Sequence, residues 1–393
     1  MSFSARPLVA AVAATSVAVL PTFLAGALGV QLRADLGFGE AGLGLAVGAF
    51  FASGALASAV LGRSAERLGA ARSLRGAALW SAAVQLGIAG LARSAVSLTA
   101  LLALAGAANA LAQPAGNLFV ARELPPSRQG MAFGVKQSAI PVATLLGGLA
   151  VPTVALTVGW RWAFVIGAAL ALGAAALVPA APPSATATTT TRPRRRGRAA
   201  GDTPLAPLVV LGVGVGLGAA AAGTLAAFLV SSGVEAGLDE RLAGLALTLG
   251  SAMGITVRLV AGFRADRRTG GHLRVVAAML ALGTGGYLLL ATGAPVAHLL
   301  ATPLAFGAGW AWPGLFNLAV VRANPGSPAA ATGITQTGTY IGAVAGPLLF
   351  GAVAARWSYE AAWTSSAVLS LSGAVGMLAG RSLLRRSRLQ LIA

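Results

Sequence analysis

The chain has 393 residues, 56% of them hydrophobic and only 10% charged, against roughly a quarter charged in an ordinary soluble domain; its mean hydropathy is +0.80. That composition excludes a soluble globular protein, and the absence of cysteine excludes a disulfide framework and a thiolate metal site. A net charge of +18 would suggest nucleic acid in a soluble protein, but the placement of the arginines points to a membrane and to no nucleic acid.

Long apolar runs recur from Leu8 to the C-terminus, each near the roughly 20 residues that cross a hydrocarbon layer as a helix, which predicts about twelve spans. Lipid offers backbone amides no partner, so spans must be helices or closed barrels, and the alternation of barrel strands is missing. The first run shows no small-residue cleavage site and further apolar segments follow at once, so it reads as the first span rather than a signal peptide. With the N-terminus inside, the cytoplasmic loops collect Arg6, Arg63, Arg67, Arg72, Arg75, Arg122, Arg128, Arg192, Arg194, Arg195, Arg196, Arg198, Arg264, Arg267, Arg268, Arg274 and Arg322, together with the C-terminal tail. Only Arg33, Arg93, Arg161, Arg241 and Arg356 fall outside. This asymmetry is the positive-inside rule, and it predicts a multi-pass plasma-membrane protein with both termini cytoplasmic.

Mid-chain, "PAAPPSATATTTTRPRRRGRAAGDTPLAP" is rich in Pro and Thr, basic, and unable to bury apolar surface. It predicts a cytoplasmic linker over 179–207 between an N-terminal six-helix bundle, 1–178, and a C-terminal one, 208–393. The two halves echo each other at an offset of about 200 residues: "GRSAER" from Gly62 answers "GFRADR" from Gly262, "AFGVKQSAIPVATLLGGLA" answers "ATGITQTGTYIGAVAGPLL" from Ala331, and Pro114 answers Pro313. Parallel repeats of this kind describe a transporter that rocks two similar bundles around a site on their shared axis.

At this point the sequence resembles the major facilitator superfamily over essentially its whole length. The loop "GRSAERLGAAR" is similar to the family pattern after the second span, with Gly62, Glu66, Arg67, Gly69 and Arg72 in the patterned places; Gly262, Asp266 and Arg267 repeat it after the eighth. The resemblance implies an all-α membrane protein of two pseudo-symmetric six-helix bundles that works by alternating access, with these loops as a cytoplasmic latch. A carboxylate near the N-terminus of a helix in the opposite bundle gains about 0.3–1 kcal/mol at an exposed site, and the neighbouring arginines could pair with acidic helix ends such as Glu123. Such contacts would exist only when the cytoplasmic side is closed and would bias that state. The plainer reading is that these are topology-setting charges.

Charges within spans mark a site, since one at the bilayer centre costs at least about 2.5–3.5 kcal/mol. Every acidic residue maps to a loop or span end, which leaves two cations: Lys136, the only lysine, in the fifth span, and Arg258 in the eighth. At about 1.5 Å per residue both lie roughly 9 Å from the cytoplasmic ends of their helices. The family fold implies that those helices face each other, so two like charges would want an anion between them. "RLVAG" sets Arg258 four residues before Gly262, similar to monocarboxylate transporters and oxalate/formate antiporters, where an eighth-span arginine binds the substrate carboxylate. The antiporters' eleventh-span lysine has no equivalent at Thr335, and the monocarboxylate carriers' acidic residue one turn before the arginine is Gly254 here. Snorkelling to the headgroups is the alternative for both cations.

Further candidates follow. Gln137 and Ser138 continue the polar patch of Lys136, and Asn109, Gln113 and Asn117 are spaced four apart on one helical face. By the resemblance the fourth and tenth spans line the cavity, which adds Trp312, the repeat twin of Gln113; Gln336 and Tyr340 in the eleventh are further candidates. Gly134, Gly147, Gly333, Gly342 and Gly346 read as close-packing positions. An enzyme is excluded on its lack of a nucleophile–base pair or a ligand cluster, His272 and His298 lying at loop or span ends. The sequence therefore predicts a monomeric secondary transporter without cofactor or metal, embedded in the bilayer and moving a small organic or inorganic anion, with anion exchange or facilitated passage favoured over proton symport. The alternative is an efflux carrier for neutral or weakly acidic drug-like compounds.

Overall fold

The computed structural model describes residues 6–123, 135–179, 204–267, 270–324 and 328–390. Twelve helices in it are long and apolar enough to cross a membrane. The first six are Leu8–Ala27, Glu40–Leu68, Ala70–Leu91, Ala95–Leu118, Val135–Val158 and Trp160–Leu177. The second six are Leu205–Glu235, Glu240–Ala265, His272–Leu290, Pro295–Ala323, Ala331–Arg356 and Tyr359–Arg386. The seventh span thus begins inside the stretch read as linker, most of which lies outside the described residues.

Several short connections depend on glycine. Gly69 joins the second and third spans at φ +84° and ψ 156°, a region open in practice only to glycine, and its N–H closes the preceding helix onto the Ala65 carbonyl at 3.0 Å. Its conformation therefore has a local cause, independent of any latch.

Prolines shape two of the spans. In the fifth, the wide turn Val151–Ala155 contains Pro152. The tenth breaks twice: its first helix, Pro295–Leu304, runs into a wide turn at Ala305–Gly309, and a new helix starts at Pro313. Its repeat twin Pro114 instead sits inside an unbroken fourth helix. Broken backbone at membrane depth leaves carbonyls without helical partners, which is tolerated only where protein supplies a donor.

The distribution of core residues describes the molecule's state. At the end carrying the termini there are two separate apolar cores. One is built only from the N-terminal half, among Ala11, Leu74, Ala112 and Ala171; the other only from the C-terminal half, among Leu211, Val276, Phe316 and Met377. At the opposite end one core is shared, with Phe23, Phe50 and Phe164 packing together with Phe228, Phe350 and Trp363. The halves are therefore joined at the end away from the termini and part toward the end that carries them.

Small residues make that junction possible. A Cβ on Gly26 would lie 2.4 Å from the Ala226 carbonyl oxygen, one on Gly44 2.3 Å from that of Pro347, and one on Gly148 2.7 Å from that of Gly244. These are first–seventh, second–eleventh and fifth–eighth crossings between the halves. Gly147, Gly342 and Gly346 also meet neighbouring backbone, whereas Gly333 faces open space.

Candidate functional site

Lys136 is 2% exposed and Arg258 7% exposed, so neither tip snorkels out of the protein. The Lys136 ammonium donates to Gln113 Oε1 at 2.5 Å, and Gln113 Nε2 donates to Asn109 Oδ1 at 3.1 Å. The expected face of the fourth span is thus a polar ladder ending on the lysine. Gly116 and Thr15 flank the lysine stem, since a Cβ on Gly116 would sit 3.1 Å from Thr15 Oγ1 and 3.3 Å from Lys136 Cε.

Arg258 crosses from the C-terminal half to the N-terminal half. Its Nη1 donates to the Gln137 carbonyl at 2.8 Å and its Nη2 to the Trp310 carbonyl at 2.8 Å. The first acceptor is left open by a proline and the second by the break in the tenth span. In a continuous helix the Gln137 carbonyl would receive the N–H of the residue four positions on, but that residue is Pro141. The Trp310 carbonyl lies in the gap before the tenth span restarts at Pro313. The guanidinium also lies over the Trp310 ring, 5.7 Å from its centroid, within cation–π range. Its Nε is buried without a partner among the described residues. The two cations share a depth, because Arg258 bonds to the residue next to Lys136, at the level where the shared core divides in two. No carboxylate of a described residue pairs with either of them.

Other candidates lie elsewhere. Trp312 is 1% exposed, donates its indole N–H to Gly309 O at 2.8 Å and packs on Phe316 in the core of the C-terminal half. The expectation that it lines the cavity is corrected: the tryptophan beside Arg258 is Trp310, which also meets Phe23 of the first span. Repeat symmetry misplaced it because the tenth span breaks where the fourth does not. Gln137 reaches Arg258 through its backbone, its side chain being half-buried. Gln336 and Tyr340 are half-buried on the eleventh span, and Thr335 turns its hydroxyl back to its own helix.

The latch loops are apart. A Cβ on Gly62 or Gly262 would meet nothing within 4 Å, and Glu66, Arg67 and Arg72 are exposed and in no ion pair with a described residue. Arg267 packs over Phe263 of its own helix at 4.2 Å. The side chains of Asp266 and Glu123 lie outside the described residues. Arg72 departs from the expected arrangement: it lines a cleft with the end of the sixth span, within its own half.

The opposite end carries a set of polar contacts that the sequence reading left as loop charges. Gln31 donates to Glu240 Oε2 at 2.5 Å, joining the halves directly. Arg33 pairs with Glu40, and the Tyr359 hydroxyl reaches Glu40 Oε1 at 3.5 Å from the other half. Asp35 accepts from Arg161 at 2.7 Å and from the Trp160 indole at 3.0 Å; the Arg161 hydrogen bond, then that of Trp160, hold its carboxyl below the usual aspartate value. His298 is 2% exposed, its Nε2 3.1 Å from the Leu229 carbonyl.

Comparison with solved structures gives the same architecture. A bacterial homolog of the human lysosomal transporter Spinster, in an inward-facing and unoccupied conformation, superposes with a TM-score of 0.72 at 14% identity, covering 98% of this chain and 97% of that one. The D-xylose-proton symporter gives 0.73 at 17% identity over 96% and 97%, and the nucleoside transporter NupG, as a D323A mutant, 0.72 at 15% over 94% and 99%. These likenesses show the fold. No curated protein matches the sequence. The family model described as Major Facilitator Superfamily matches residues 8–338, most of the chain, and with the twelve spans in two halves it establishes that this chain is a multi-pass membrane transporter belonging to the major facilitator superfamily.

Proposed function

We propose that the transporter carries a small organic or inorganic anion by alternating access, with Lys136 and Arg258 as its charge-selecting pair. The observation that carries the reading is their joint burial, at one depth and on opposite halves, without a carboxylate partner among the described residues. An ammonium held by one neutral amide is poorly compensated, and an incoming anion would supply what is missing. Gln113 and Asn109 orient the ammonium, and Arg258 has an unspent Nε for cargo while two of its nitrogens hold the helix breaks. A cavity with this charge would repel cationic drugs.

The described carboxylates lie exposed or half-buried at span ends away from the site, which gives a proton no relay there and favours exchange of one anion for another, or facilitated passage. In this reading the carrier is a plasma-membrane monomer, and the arginine asymmetry supports placing both termini in the cytoplasm. On that orientation the described state faces inward, with the latch of Gly62, Glu66, Arg67, Gly69 and Arg72 and of Gly262, Asp266 and Arg267 released. Counterflow in proteoliposomes tests the function: labelled anion should accumulate transiently against unlabelled anion inside. Entry that shows no overshoot with any anion, or an overshoot with neutral compounds alone, would overturn the proposal.

A further inference from the structure

The third and sixth spans leave between them, at the end of the molecule that carries the termini, a cleft of about 240 Å³ lined by Ala71, Arg72, Arg75, Gly76, Leu79 and Pro179. Its chemistry is divided along its length. Arg72 and Arg75 stand at the end of the third span, three residues apart and so on one face, while Gly76 and Leu79 continue that face into the apolar part of the span. Leu79 is 47% exposed, and a Cβ on Gly76 would meet no atom within 4 Å, so the trough is open beneath the two guanidiniums.

The charges are not spent within the protein. Arg75 donates Nη2 to the Val178 carbonyl at 2.6 Å and Nε to that of Ala175 at 3.4 Å, closing carbonyls that the end of the sixth helix leaves open; its Nη1 bonds to no described residue. Arg72 is exposed and forms no ion pair with a described residue. The adjoining sequence brings no counter-charge, because 179–207 holds Arg192, Arg194, Arg195, Arg196 and Arg198 against the single Asp202.

We infer that this cleft seats an anionic phospholipid, its phosphate between Arg72 and Arg75 and an acyl chain in the trough over Gly76 and Leu79. A pair of arginines at headgroup level above an apolar groove matches a molecule that is negative at one end and apolar at the other. A soluble anion would use the arginines and leave the trough empty. The segment 179–207, itself strongly basic, has the wrong sign to serve as the occupant.

The test is native mass spectrometry of the full-length carrier titrated with dioleoyl phosphatidylglycerol or dioleoyl phosphatidylcholine, with free glycerol 3-phosphate as competitor. Gly76→Leu fills the trough at a position where an added Cβ meets no atom within 4 Å, and Arg72→Gln removes a charge that is in no ion pair with a described residue; Arg75 is left intact because it closes the sixth helix. Phosphatidylglycerol should bind in preference to phosphatidylcholine and resist glycerol 3-phosphate. Arg72→Gln should weaken it on the order of fivefold, the loss expected for one arginine near an anionic headgroup, and Gly76→Leu should weaken it with unchanged thermal unfolding. Equal binding by wild type and both variants, or displacement by glycerol 3-phosphate, would overturn the assignment.

Discussion

Replacing Gly44 by alanine should shift the transporter away from the state described. Gly44 lies where the second span crosses the eleventh; a Cβ there would sit 2.3 Å from the Pro347 carbonyl oxygen and 3.3 Å from Gly351 Cα. A carbon cannot approach an oxygen that closely, and the carbonyl belongs to a helix backbone that cannot rotate aside, so the spans must separate by somewhat under 1 Å at least. Overpacking of this kind costs about 1–3 kcal/mol. Alanine's advantage within a helix, about 0.5–1 kcal/mol, applies to every state and cancels. The strain arises only while the halves are joined at this end, so the conformational equilibrium should move by about 5- to 150-fold. The chain lacks cysteine, so Val158→Cys and Val296→Cys, exposed and on different halves at the joined end, can carry spin labels for pulsed EPR. Gly44→Ala should add a population at longer distance. A distribution identical to that of the labelled parent would refute the steric argument.

Three other outcomes are expected. Arg258→Lys should lower both transport and thermal stability, because an ammonium cannot reach both the Gln137 and Trp310 carbonyls. Pro141→Ala, which restores an N–H toward Gln137, should recover part of the stability but not the transport; additive stability losses in the double variant would contradict the helix-break role. Glu240→Gln weakens the Gln31 contact at the joined end and should favour the opposite state, while Glu66→Gln acts on the latch and should favour the described one; cysteine labelling that moves the same way in both variants would contradict the two-gate assignment. Asp35, held below its ordinary value, contributes stability that is fully present above the unfolded pKa, about 4, and is lost as pH falls through the folded value. Asp35→Asn should therefore cost a constant amount from pH 8 to pH 5, on the order of 0.2–1 kcal/mol for so exposed a pair, fading in stronger acid; a cost that grows on acidification would refute it.

Much of the architecture was legible because the bilayer imposes a length and a composition on each span, and because a duplicated sequence announces its halves. Lys136 and Arg258 stood out for the same reason, as charges where charge is costly. Their surroundings were harder to read. That Arg258 bonds to backbone depends on two helix breaks, although Pro141, four residues after Gln137, was a visible sign that one carbonyl would need a donor. Trp310 was missed for Trp312 because symmetry transferred a register that the broken tenth span does not keep. The contacts of Gln31, Glu40, Glu240 and Tyr359 join residues hundreds of positions apart at helix ends that sequence alone treats as solvated, and Arg72, placed in the latch by motif, also lines the cleft beside the sixth span.

If Lys136 and Arg258 await a negative cargo, as proposed, the protein should bind one. Purified wild type and Lys136→Met should be screened by thermal shift against carboxylates, cyanate, nitrate and neutral drug-like compounds. At a hundred times its dissociation constant a bound anion contributes about 2.7 kcal/mol, enough to raise the melting temperature of wild type saturably by several degrees, and the same anion should leave Lys136→Met unmoved. Stabilisation of both proteins alike by an anion, or by neutral compounds alone, would contradict it.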